Sequence, residues 1–234
     1  MATDQPVRQQ QDADPLAARR LQILSTEHFS LLTTRSLTYT ESFSRVGMFF
    51  SVLSGAVIAL ALVAQAGRYG ETFVVTAILV LSVVIFVGIA TVARLLTVNG
   101  EDIRWIAGMN RLRHAYLEMH PELEKYFIVS SNDDARGISM TMGVPLLPIA
   151  QPIARLTRAF QTLPAMVAVM VAAVAGALSA LVCTAAGVYQ LVAVGLGAAT
   201  FLAVYGLFAL YMWRSITHYM NAVPPNFPSS QTSL

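Results

Sequence analysis

A histidine and a glutamate with the spacing of metal ligands lie in a polar part of the chain. His114 and Glu118 are four residues apart, and His120 follows closely. On a helix this spacing places two ligands on one face, with a third within reach. The spacing is also common by chance, and the neighbouring arginines favour a simpler interpretation. We interpret the group as a solvated helix face, with metal binding as the alternative.

Two adjacent carboxylates, Asp133 and Asp134, lie in a segment without helical periodicity. Paired acids can bind a cation or act as acid and base, but acids in an irregular loop are usually solvated. The chain contains no glycine-rich phosphate loop, His-Glu-x-x-His, nucleophile elbow or Cys-x-x-Cys, and Cys183 is its single cysteine. We therefore expect a non-enzymatic protein without catalytic, cofactor-binding or metal-binding residues, and without a cofactor.

Composition points to a membrane protein. Of 234 residues, 56% are hydrophobic and 12% are charged, whereas about 25% of the residues in a soluble domain are charged. The apolar residues are gathered into four blocks, which a single soluble core would not require. A net charge of +2 with dispersed arginines gives no basic patch for nucleic acid.

The four blocks each contain 21 to 23 residues without a charged side chain, enough to cross a hydrocarbon core of about 30 Å. They are residues 46–66, 73–93, 165–186 and 191–213. Very short connections join the first to the second and the third to the fourth. The sequence thus predicts an all-α integral membrane protein with four transmembrane helices arranged as two antiparallel hairpins.

Arginines near the span ends predict the orientation. Arg45, Arg94, Arg158 and Arg214 fall on one side of the membrane, and Arg68 alone falls on the other. Positive residues concentrate on the cytoplasmic side. We therefore expect a multi-pass protein of the cell (inner) membrane with both termini in the cytoplasm.

Small residues recur every fourth position in two spans. The first span has Ser51, Gly55 and Ala59 at this spacing, and the third has a longer series: Ala168, Ala172, Gly176, Ala180 and Thr184. In lipid, such faces let helix backbones approach closely. They predict either packing within one four-helix bundle or an interface between subunits of a homo-oligomer.

Hydroxyl side chains in the first two spans are candidates for a pore lining. They are Ser51, Ser54, Thr76, Ser82 and Thr91. The alternative is that they bond between helices or back onto carbonyls of their own helix. Because the spans contain no ionisable acid, base or histidine, a proton antiporter is not expected.

Helices are predicted to extend both spans of the first hairpin into the cytoplasm. Residues 15–45 contain no glycine and no proline after Pro15, and a heptad-like apolar series continues the second span from Leu95 to Met119. Asn99-Gly100 is a turn signal within that series, so we favour a helix with a local kink there over a full break. The first hairpin and its extensions form a predicted domain over residues 15–128.

Three other segments are predicted to be less regular. Residues 1–14 form a disordered N-terminus. Residues 129–164 form a cytoplasmic loop that ends in an interfacial helix over 150–162, where apolar residues share one face. Residues 214–234 form a cytoplasmic tail that is mostly disordered.

The first part of the chain resembles a known type of bacterial domain in its layout. A polar helix enters one span, Gly67-Arg68-Tyr69-Gly70 makes a tight turn, and the second span leads into Ile103-Arg-Trp-Ile and Arg111-Leu-Arg-His. Residues 1–128 thus resemble SLATT-type two-span bacterial membrane effector domains. The resemblance implies an oligomeric pore or membrane-perturbing module, and it transfers no catalytic residues. The second hairpin lies outside it.

Three classes of function follow. The first is a non-enzymatic membrane module that forms homo-oligomers, with an ion-conducting or membrane-perturbing pore as its activity. The second is a membrane scaffold or sensor whose cytoplasmic helices bind a protein partner. The third, with least support, is a membrane enzyme that uses the acids and histidines. The expected partners are membrane lipid, other copies of the chain and a cytoplasmic protein.

Overall fold

The computed structural model describes residues 15–67, 70–143 and 162–229, and these residues form helices without any strand. The elements are α1 (Pro15–Gly67), α2 (Glu71–Met119), a 3₁₀ helix (Pro121–Tyr126), α3 (Ala135–Thr141), α4 (Leu163–Ala185) and α5 (Gln190–Asn221). The all-helical prediction is confirmed for this part of the chain. The expectations for residues 1–14, Arg68, Arg158 and most of the interfacial helix lie outside the described residues.

Four of these helices, α1, α2, α4 and α5, are long and apolar enough to cross a membrane. Helices α1, α2 and α5 each contain one of the charge-free blocks predicted from the sequence, and α4 contains all of its block except Ala186. The helices extend beyond those blocks, because α1 begins at Pro15, α2 continues to Met119 and α5 continues to Asn221.

Helix α1 stays regular through its hydroxyl-rich start. Proline suits the first position of a helix because an N–H at that position would have no hydrogen-bond acceptor within the helix. The hydroxyls of Thr26, Thr33 and Thr34 each bond to a carbonyl four residues earlier, at 2.9 Å. These bonds satisfy the hydroxyl groups within the helix, as is common for serine and threonine in helices.

Helix α2 runs without interruption through Asn99-Gly100. Gly100 packs closely against α5, because a Cβ added there would overlap the ring of Tyr219. The glycine makes room for an aromatic ring and forms no turn. His120-Pro121 ends the helix as predicted, and the short 3₁₀ helix follows.

The chain forms two compact units. The first contains residues 15–36, 104–143 and 224–229, and the second contains residues 37–67, 70–103 and 162–223. The core of the second unit is a cluster in which Phe49 of α1, Val92 of α2 and Val171 of α4 are buried. Phe208 and Met212 of α5 pack against it.

Two segments are more ordered than the sequence predicts. Residues 129–143 include α3, whose N-cap is Asp134. Helix α5 ends only at Asn221, and residues 224–229, expected within a mostly disordered tail, are tied to the first unit by hydrogen bonds. Asp134 caps α3, and Asp133 and Asp134 accept hydrogen bonds from residues 226, 227 and 229.

Candidate functional site

A polar site in the first unit holds the C-terminal segment of the described chain. We call it the tail site, and we call residues 224–229 the tail segment. The site is formed by side chains of α2, of the loop before α3 and of its N-cap: Asn110, Arg111, His114, Asn132, Asp133 and Asp134. Two of these residues, Asp133 and Asp134, are the paired carboxylates singled out in the sequence.

Asp133 is the centre of the site, and its side chain is 0% exposed. It accepts hydrogen bonds from Arg111 Nε at 2.6 Å, the backbone N–H of Asn226 at 2.9 Å and that of Phe227 at 2.8 Å. Burial alone would raise the pKa of Asp133, but the two backbone donors and Arg111 together lower it. The carboxylate therefore stays charged inside the unit.

Asp134 joins the tail segment to α3. One oxygen caps the helix by accepting the Gly137 N–H at 2.7 Å, as an N-cap aspartate does. The other oxygen accepts the Ser229 N–H at 3.0 Å and the Ser229 hydroxyl at 2.6 Å. Burial opposes the charge here too, yet these donors lower the pKa of Asp134.

The remaining contacts fix the tail segment along its length. Arg111 donates to the Pro224 carbonyl at 2.8 Å, and the Asn132 side chain donates to the Phe227 carbonyl at 3.2 Å. The Phe227 ring stacks on His114 with centroids 3.9 Å apart. Asn110 supports the loop by donating to the Asn132 carbonyl at 2.7 Å.

This arrangement favours binding of polypeptide over the chemistry considered for the same residues. The carboxylate oxygens of Asp133 and Asp134 already accept several donors, which leaves little room for a cation. His114 Nε2 lies 3.8 Å from Glu118, whereas His120 bonds to Glu122 at 3.1 Å. No group of three potential metal ligands occurs among the described residues.

A second charged cluster lies in the second unit, next to the predicted spans. Glu41 accepts Arg45 Nε at 2.8 Å and Arg94 through Nε at 2.9 Å and Nη2 at 3.0 Å. Arg94 also reaches Glu101 at 3.4 Å. Hydrogen bonds from Arg94, and then from Arg45, lower the pKa of Glu41 to about 2. Two of the arginines used to predict orientation are thus ion-paired, and Arg214 is exposed.

Most hydroxyls proposed to line a pore bond back onto their own helix. The bonds are Ser51 to Gly47 at 3.0 Å, Thr76 to Thr72 at 2.8 Å, Ser82 to Ile78 at 2.6 Å and Thr91 to Val87 at 2.8 Å. Thr91 is buried, whereas Ser51, Ser54 and Ser82 are exposed. Back-bonding was the alternative interpretation, and a pore lining stays a prediction.

The small residues of α4 pack closely against neighbouring groups. Ala168, Ala172 and Gly176 are buried, and Ala180 is half-buried. A Cβ at Gly176 would lie 2.7 Å from the carbonyl oxygen of Gly197 in α5. This close backbone approach is what a small-residue face permits.

The small residues of α1 face open space. Gly55 and Ala59 are exposed, and a Cβ added at Gly47 or Gly55 would meet no atom within 4 Å. Ser51, Gly55 and Ala59 form what we call the α1 face. It borders a groove of about 810 Å³ between α1 and α2, lined by residues that include Gly47, Met48, Ser51, Val52, Phe86, Val87 and Ala90.

Sequence reasoning found the two acids but missed the tail site. The local signal was the N-cap pattern of Asp134 before a helix, which was hidden because α3 is only seven residues long. No protein-family model, curated protein or solved structure matches this chain.

Proposed function

We propose that the protein is a non-enzymatic integral membrane module that self-associates through the α1 face. In this proposal the four apolar helices cross the cell (inner) membrane as two antiparallel hairpins, with both termini in the cytoplasm. Its partners are membrane lipid and other copies of the same chain.

Apolar side chains on the outside of the long helices support placement in lipid. Ile58 of α1, Phe86 of α2 and Leu202 of α5 are 61%, 73% and 67% exposed. Water does not favour contiguous apolar surface of this kind, whereas hydrocarbon accommodates it. All three lie within the charge-free blocks.

The observation that carries self-association is the contrast between two small-residue faces. The face on α4 is filled by neighbouring groups, whereas the α1 face is exposed and borders an unfilled groove. In lipid, helices gain no hydrophobic stabilisation from pairing, so close packing through small residues decides where they associate. A second copy of the chain suits such a face.

A pore is the activity that we propose for the assembly. Ser51 lies on the α1 face, and a hydroxyl that donates to its own helix keeps oxygen lone pairs for water or a hydrated ion. A scaffold or sensor is the second candidate, and the tail site supports it, because polar groups in the first unit bind the backbone of a polypeptide segment.

Cysteine cross-linking tests the interface. In a Cys183→Ala background, Gly55→Cys should form a disulfide-linked dimer in membranes under mild oxidation, because self-association brings the two α1 faces together. Gly206→Cys is the matched control, since it is an equally open glycine on α5. Equal cross-linking at both positions, or at neither, would contradict the proposed interface.

Ion flux distinguishes the two candidate activities. Liposomes that contain the purified protein should release a trapped ion, and a bulky Gly55→Leu variant should release much less. If Gly55→Leu left the flux unchanged, conduction would not depend on the α1 face. A wild-type protein that associates but conducts nothing would favour the scaffold or sensor.

A further inference from the structure

The tail segment is bound by the first unit in the way that a protein binds a peptide ligand. Its contacts come from the loop before α3 and from one side of α2, and they act mainly on backbone groups of the tail. The N–H groups of Asn226 and Phe227 and the carbonyls of Pro224 and Phe227 are all engaged.

The site requires an occupant. Without the tail segment, the buried Asp133 would keep Arg111 but lose two backbone donors, and Asp134 would lose both donors from Ser229. A buried charge that loses hydrogen-bond donors is strongly disfavoured. The carboxylates are therefore placed to bind polypeptide N–H and hydroxyl groups.

The present occupant is held at the surface. Phe227 and Ser229 are partly buried, whereas Pro224, Pro225, Asn226 and Pro228 are exposed. Another polypeptide can therefore reach the same site from solvent. It can replace the tail segment where it supplies equivalent N–H and hydroxyl groups to Asp133 and Asp134.

We propose that the tail site is a peptide-recognition surface, which the protein occupies with its own C-terminal segment and which a partner polypeptide can occupy instead. The partner would present a segment that bends so that two successive backbone N–H groups face Asp133, with an aromatic ring for His114, then proline and a hydroxyl residue. This interaction goes beyond self-association of the spans and does not depend on it.

A peptide-binding experiment on the full-length chain tests the proposal. The probe is a fluorescent peptide of residues 224–234, and the measurement is its anisotropy with the purified protein in detergent. Phe227→Ala and Asn226→Pro weaken only the occupant, because the first removes the ring and the second removes an N–H bound by Asp133. Tyr126→Ala, an exposed aromatic in the same unit, is the control.

Phe227→Ala and Asn226→Pro, the two opened variants, should bind the probe at least about tenfold more tightly than the wild type. In the wild type the attached tail segment competes with the probe at an effective concentration of roughly millimolar. Tyr126→Ala should bind like the wild type. Adding Asp133→Asn to Phe227→Ala should weaken binding about tenfold or more, since it removes a charged hydrogen-bond acceptor.

The wild-type chain provides a readout that no substitution can disturb. At saturating concentration, an unlabelled peptide of the same sequence with a mass tag should increase hydrogen exchange at the protein's own Asn226 and Phe227 amides. Unchanged exchange would overturn the proposal. So would opened variants that bind no better than the wild type, or binding that survives Asp133→Asn.

Discussion

Asp133 is the main hydrogen-bond acceptor for the tail segment in the first unit. Its buried carboxylate pairs with Arg111 and with two backbone N–H groups of the tail segment. The sequence indicated a solvated loop acid, because its partners at positions 226 and 227 lie more than 90 residues away. A tail that contains three prolines and several serines was itself expected to be disordered. The contact between Asp133 and the tail segment could therefore not be predicted from either part of the sequence alone.

The lowered pKa values of Asp133 and Asp134 predict how docking of the tail segment depends on pH. Since docking depresses both pKa values, its contribution to stability is fully present above their ordinary value of 3.8. It is lost as the pH falls through the lowered values. The protection factors of the Asn226 and Phe227 amides, measured by hydrogen exchange, should therefore stay high at pH 5 and fall below pH 3.8.

An Asp133→Asn variant is the control for this pH dependence. It should show weaker protection at pH 5 and a smaller change on acidification, because one of the two titrating groups is gone. Protection that falls between pH 7 and pH 5 in the wild type would assign the docking to another titrating group.

At the scale of elements, helix type and the charge-free blocks could be predicted from sequence, because composition and length alone determine them. At Asn99-Gly100 the expected continuation of the helix is found, and the local kink stays a prediction, but the packing of Gly100 against another helix could not be predicted. The pair is a turn signal by local preference, but Tyr219 packs where a side chain at position 100 would lie.

The spacing of small residues was visible in α1 and α4 alike, but the sequence could not distinguish their surroundings. Helix α4 meets α5 at Gly176 and Gly197, where the backbones approach closely. The α1 face has no neighbour at Gly55. Whether a small-residue face is covered depends on the tertiary arrangement, which periodicity does not describe.

Gly176→Val should destabilise the second unit. A Cβ at this position would lie 2.7 Å from the Gly197 carbonyl oxygen, so the α4 and α5 backbones would have to separate. Overpacking of this kind costs about 1 to 3 kcal/mol. The unfolding midpoint in a denaturing detergent titration should shift accordingly.

Gly206→Val is the matched variant for that measurement, because its added side chain meets open space. It should leave the midpoint nearly unchanged. Equal shifts for the two valines would mean that helix propensity, and not the close approach, decides the effect.

At the scale of the whole molecule, the predicted membrane orientation can be tested by labelling. In a Cys183→Ala background, cysteines at the exposed positions Thr72 and Gln190 should react with an impermeant maleimide in intact cells. A cysteine at Met140, which is also exposed, should react only after lysis. The physical reason is the excess of arginine at the opposite ends of the spans.

The reverse labelling pattern would place the termini outside the cell. Labelling at only one of Thr72 and Gln190 would contradict one of the two hairpins. The Glu41 cluster does not alter the expectation, because acidic residues contribute little to the positive-inside rule.

Self-association through the α1 face can be measured by counting subunits in lipid. The protein would be labelled once per chain, reconstituted at low density and counted by single-molecule photobleaching. We predict that wild-type particles contain two or more copies and that Gly55→Leu gives single copies, with Gly206→Leu resembling the wild type. Wild-type particles with single copies, or unchanged counts in Gly55→Leu, would contradict self-association through the α1 face.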